Sequence, residues 1–135
     1  MNTPMIRSWQ GFSFETVCLS HLGQIKKALG ISGMSTNACS WRKPVGENDG
    51  AQIDLLIDRS DRIINICEMK FSEKPYSITK AYANELRMKM AVFTDATHIR
   101  KSLALTMITT YGVLPGIHSG IVQHEVTMDD LFYQI

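Results

Sequence analysis

Between Phe12 and Leu29, the apolar residues Phe14, Val17, Cys18, Leu22, Ile25 and Leu29 recur at three- and four-residue spacing, and Gly30 follows them. That spacing predicts one amphipathic helix with a glycine stop. A short strand is expected around Thr36–Arg42, followed by a loop through "PVGENDG", whose Gly, Pro, Asn and Asp favour turns. Gln52–Asp58 and Ile63–Phe71 then read as two strands joined by the polar "RSDR", which predicts an antiparallel hairpin. "SEKPYS" interrupts the sheet, and Ser77 is placed to cap a helix from Ile78 to about Ala96 whose buried side carries Ile78, Tyr82, Leu86, Met90 and Phe93. Ser102–Thr110 is apolar and β-branched, as in a strand covered on both faces. Gly120–Val126 reads as a further strand, and a short turn or helix around Met128–Phe132 closes the chain.

The order is helix, three strands, helix, then one or two strands. A long helix between the third and fourth strands implies a right-handed crossover, hence an α/β fold with a mixed central sheet flanked by helices. At 135 residues and 44% apolar content, one domain is expected, over 11–135, with 1–10 as a linker or stub.

A net charge of +1 demands neither a nucleic acid nor a membrane partner. The distribution is less even: residues 59–101 hold nine Lys/Arg against five Asp/Glu, whereas 102–135 hold no Lys or Arg and three acids. That is either a basic rim around a site or a solvated helix face. The three cysteines, Cys18, Cys39 and Cys67, are widely spaced, do not resemble a zinc set and read as small buried hydrophobes in a reduced, cytoplasmic setting. No apolar run reaches membrane-spanning length. The chain also lacks a G-x-x-x-x-G-K-[ST] phosphate loop.

The chemistry concentrates in the hairpin. Alternation along a strand puts Ile64, Ile66, Glu68 and Lys70 on one face, and Asp54 with Leu56 and Asp58 on one face of the preceding strand. A three- or five-residue loop brings those two faces together; a four-residue loop separates the carboxylates. We expect the register that joins them. Two adjacent carboxylates repel when both are ionised, and a divalent cation removes that penalty. Such an ion can polarise a phosphodiester and activate a bound water, and a lysine on the same face can stabilise the developing charge. The bland alternative for Glu68 and Lys70 is a surface ion pair.

Asp54 followed by "EMK" at Glu68, Met69 and Lys70 resembles the core motif of the PD-(D/E)xK, or restriction-endonuclease-like, nuclease superfamily. More narrowly, "GFSFETVCLSHLGQIKKALGI", "SW", "GAQIDLLIDRSDRIINICEMKFS", "ITTYG" and "DDLF" look like the C-terminal nuclease-like domain of prokaryotic AAA-type ATPases. The resemblance spans Trp9 to Phe132 and implies an αβββαβ core, Mg²⁺ with Mn²⁺ as a substitute, and hydrolysis of DNA. It assigns Asp54 and Glu68 as metal ligands, the Met69 carbonyl as a third, and Lys70 as the catalytic lysine. Glu15, in the first turn of the first helix, matches an acidic residue many members use near the metal; there it would also suit the positive helix end. Ile53 stands where the motif has proline. The resemblance leaves open an upstream ATPase partner, a homodimer, and a nuclease fold kept for DNA binding or for regulating a larger ATPase.

Elsewhere, Gln52 shares the parity of Asp54 and either contacts phosphate or satisfies a backbone group. Lys80 and Arg87, two turns apart on the crossover helix, could reach a phosphate backbone or form a solvated face. Glu85 and Lys89 have the spacing of a helix-stabilising pair. Trp41 reads as a packing residue, and the four histidines are scattered.

Overall fold

The computed structural model describes residues 4–43 and 51–133, without the side chains of 4–10 and Phe12. The loop expected at 44–50 lies outside the described residues. In chain order the elements are α1 (Pro4–Leu19), α2 (Leu22–Ala28), β1 (Thr36–Arg42), β2 (Gln52–Arg59), β3 (Ile63–Lys70), α3 (Lys80–Thr97), β4 (Ser102–Thr109), a 3-10 turn at Ser119–Ile121, β5 (His124–Thr127) and α4 (Met128–Leu131). The strands form one five-stranded mixed sheet in the order β1-β2-β3-β4-β5. The first three strands are antiparallel, and β4 and β5 run parallel to β3.

Helices cover both faces. On one, Phe14, Cys18 and Ile25 from α1 and α2 and Leu131 from α4 pack with Leu55, Ile57, Cys67, Ile108 and Val126. On the other, Phe93 of α3 packs with Ile53, Leu56, Ile64 and Ile66. The central strands need apolar side chains on both faces for this reason, and β4 is buried from Ala104 onward, as expected. No helix among the described residues is long and apolar enough to cross a membrane.

The single helix expected over Phe12–Leu29 is two helices. At the break, Ser20 Oγ donates to the Thr16 carbonyl and His21 Nδ1 to the Val17 carbonyl, at 2.8 and 2.7 Å. The Thr16 carbonyl still accepts from the Ser20 N–H, but the His21 N–H bonds to Cys18 while its imidazole takes the Val17 carbonyl that the next helical turn would use, and the chain turns. The backbone from Pro4 already belongs to α1, so much of the expected linker is helical. Glu15 accordingly lies one turn before the end of α1, not in a first turn, and the dipole explanation for it does not hold. Gly30 does end α2: with φ of +74° it lets its own N–H and that of Ile31 close on the carbonyls of Lys27 and Lys26.

Thr79, not Ser77, caps α3, its side chain accepting from the Tyr82 N–H. The strand expected over Gly120–Val126 is shorter, since the 3-10 turn occupies its first residues and pairing with β4 begins at His124. Cys18 and Cys67 are buried, but Cys39 is exposed because β1 is an edge strand with little covering it. Trp41 packs edge-on against Phe93, centroids 5.1 Å apart, in its expected packing role.

Candidate active site

The hairpin register brings the two motif strands level. Leu55 faces Cys67, Leu56 faces Ile66 and Asp58 faces Ile64, so the even-numbered residues of the two strands share a face as expected, and the ladder's last pair lies one residue short of Asp54 and Glu68. A second feature lies beside it. Between Cys39↔Leu56 and Trp41↔Ile53 the ladder advances two residues along β1 but three along β2. The extra residue makes a β-bulge in β2 across Asp54 and Leu55. Ile53 and Leu56 therefore join the α3-side core while Leu55 joins the opposite one. Strict alternation would point Asp54 toward α3 with Glu68; the bulge re-aims it. Asp54 is exposed and within hydrogen-bonding reach of Glu15 on α1.

Glu15, Asp54, Glu68, Met69 and Lys70 all line one pocket of ≈ 580 Å³, together with Gly11, Cys67, Phe71 and Lys89. Elements from both layers meet here because the pocket opens at the carboxyl end of β3, past the edge of the packed core. Burial raises the Glu15 carboxyl from 4.5 to about 7, reinforced by its hydrogen bond to Asp54 and by the Asp54 charge, opposed by Lys70, and raised further by Glu68.

Glu68 is buried, with 8% of the residue exposed. Lys89 Nζ lies 3.2 and 3.0 Å from its two oxygens, and the Tyr82 hydroxyl donates to Oε1 at 3.3 Å. Lys70 shares this face, with Nζ over the Tyr82 ring at 5.1 Å, and the same ring meets Tyr76 edge-on at 5.8 Å. Tyr82 is thus more than core packing: its ring supports one cation and its hydroxyl one carboxylate. Burial, followed by the Glu68 charge, pushes its phenol well above the ordinary range.

Gln52 Nε2 donates to Asp54 Oδ1 at 2.6 Å, holding the carboxylate rather than standing free. Lys80 and Arg87 are exposed on α3 and are not among the residues lining the pocket, and Arg87 donates to Asn84 at 3.3 Å. The lysine that α3 does deliver is Lys89, whose ion pair is with Glu68 across the layers and not with Glu85. Its position carried a sequence signal: Lys89 falls three residues after Leu86 and four before Phe93, on the stripe that faces the sheet.

Among the described residues, no three His, Cys, Asp or Glu side chains converge as a ready metal group. Asp54, exposed, and Glu68, buried, offer oxygen donors to one pocket, a donor chemistry that suits a hard cation such as Mg²⁺, which commonly takes one or two carboxylates and keeps several waters. Comparisons with family models, curated proteins and solved structures find no match for this chain.

Proposed function

We propose that this chain is a divalent-metal-dependent nuclease module of the restriction-endonuclease-like, αβββαβ type, hydrolysing phosphodiester bonds of DNA in the cytoplasm. The observation that carries this reading is the meeting of Asp54, Glu68, Lys70 and Glu15 around one pocket. The sequence of a helical segment, three antiparallel strands, a crossover helix and a parallel strand is consistent with it.

Hydrolysis adds water across one P–O ester bond, leaving a phosphate monoester and a hydroxyl. Asp54 and Glu68, with the Met69 carbonyl, would hold Mg²⁺ or Mn²⁺, which supplies Lewis acidity and a lowered pKa for water. Lys70 Nζ, resting on the Tyr82 ring and in no ion pair among the described residues, can donate to a non-bridging phosphate oxygen as charge builds there. Gln52 orients Asp54. Glu15, raised to about 7, can exchange a proton with its surroundings near neutral pH.

One observation favours a second reading, a nuclease-fold module that binds DNA or regulates a larger ATPase or a homodimer without cutting: both Glu68 oxygens already have a cationic partner in Lys89. Cleavage of supercoiled plasmid and of single-stranded DNA in Mg²⁺ or Mn²⁺, with Glu68→Ala prepared in parallel, separates the two. Cutting by the unaltered protein alone supports hydrolysis. DNA binding without divalent ions and without cleavage supports the second reading, and equal cutting by both proteins rules out Glu68 as a catalytic group.

A further inference from the structure

The Lys89 ammonium makes two contacts with Glu68 that a divalent cation on that carboxylate would compete for. The pair is poorly hydrated, with side-chain exposures of 26% for Lys89 and 10% for Glu68, so Glu68 does not stand open to an arriving ion. The backbone of Lys89 is fixed, because Leu86 and Phe93 on the same helix are core residues. Its stem, by contrast, has four methylenes, and Lys89 lines two adjoining cavities. One is the carboxylate pocket; the other is a groove of ≈ 530 Å³ formed by Ala51, Gln52, Asn84, Glu85, Met88 and neighbours. Glu85, one helical turn before Lys89, is a carboxylate in that second cavity, at the spacing that suits an ion pair on a helix surface.

We propose that Lys89 is a positioning residue with two stations: it occupies the cation place on Glu68 until a divalent ion displaces it, then moves into the neighbouring groove beside Glu85. Lys89 therefore holds Glu68 in its ligating position and sets the metal affinity of the site by competition. This rests on the metal-site reading above. Because the exchange replaces one cation by another, the buried carboxylate is never left without a counter-charge, which would be strongly unfavourable.

The test is calorimetric titration of Mn²⁺ into the unaltered chain and into Lys89→Met, Lys89→Arg, Glu85→Gln and Glu68→Ala, with thermal unfolding of each with and without the ion. Lys89→Met should bind Mn²⁺ about tenfold more tightly, lose stability without the ion and regain it with the ion. Lys89→Arg, which keeps the charge, should bind more weakly than Lys89→Met, and Glu85→Gln, which removes the second station, more weakly than the unaltered chain. Lys89→Gln replaces Lys89→Met should the latter not fold. If Lys89→Met binds equally or less tightly while Glu68→Ala abolishes binding, competition by Lys89 is wrong and the metal site stands. If neither the unaltered chain nor Lys89→Met takes up the ion, both the proposal and the metal-site reading fall.

Discussion

Asp58 stands directly across the β2–β3 hairpin from Ile64. This pairing sets the register that puts the even-numbered residues of the two strands on one face, and the hairpin closes through a turn in which Arg62 has φ of +69°. Left-handed backbone costs a side-chain-bearing residue about 1–2 kcal/mol, whereas glycine adopts it freely. Arg62→Gly should therefore stabilise the hairpin, by about 0.5–1 kcal/mol in urea unfolding. The Arg62 carbonyl that accepts from Ser102 is retained in the variant. A loss of stability would mean that the Arg62 side chain contributes more than its backbone strain.

Glu15 predicts a specific pH dependence. Its folded-state value is raised from 4.5 to about 7, so below 4.5 it is protonated in both states and imposes no penalty. As pH rises toward 7 the unfolded chain releases this proton first, and the folded state loses stability until the folded carboxyl also ionises. Relative to the unaltered chain, Glu15→Gln should gain stability progressively between these two values and then level off. Denaturation at four pH values from 4.5 to 8 checks this; parallel stability curves would contradict it.

Tyr82 has a hydroxyl function and a ring function that can be separated. Tyr82→Phe removes the 3.3 Å hydrogen bond to Glu68 and should cost about 0.5–1.5 kcal/mol. Tyr82→Leu also removes the ring beneath Lys70 and against Tyr76 and should cost about 1 kcal/mol more. Equal losses for the two variants in chemical denaturation would show that the ring contacts contribute nothing.

At the opposite end of the sheet, Asn65 is fully buried. It donates to Thr106 Oγ1 at 2.9 Å and accepts from Arg59 at 3.1 Å. Asn65→Ala removes both bonds, leaving Thr106 its bond to the Ala104 carbonyl and Arg59 its pair with Asp61, and should destabilise the fold by about 1–2 kcal/mol. Combined with Thr106→Val the losses should fall short of additivity, since the two residues share one bond. Strict additivity in the double-mutant cycle would deny the coupling.

The cysteines give a prediction by counting. Cys18 and Cys67 are buried and their thiols pushed up by that burial, Cys18 to about 12, while Cys39 lies exposed on the edge strand. At pH 8 a thiol reagent should modify one cysteine of the folded chain rapidly and all three after denaturation. Rapid modification of two or more under native conditions would place Cys18 or Cys67 in contact with solvent.

Much of the architecture is local information. Residues three and four apart must share a helix face and residues two apart a strand face, so the apolar stripes of α2 and α3, the hairpin strands and the buried strand β4 are legible from spacing alone, as are Glu68 and Lys70 on one side of β3. Local polar chemistry explains where such spacing misleads: the His21 imidazole takes the Val17 carbonyl that its own N–H would use and the first helix splits, although the apolar stripe runs through the break. The site depends on distances that no local pattern encodes. Both parities of the hairpin were compatible with strands carrying Leu and Ile on each face, and only packing against two helix layers selects one. The bulge that turns Asp54 toward Glu15 arises from a mismatch with β1, ahead of it in the chain. The partner of Glu68 comes from Lys89, 21 residues away in sequence, because a buried carboxylate requires a counter-charge and the crossover helix is the element laid over it. Residue types and their spacing name the groups able to do chemistry, and folding selects which of them meet, since burial and long-range register set the cost of every unpaired charge.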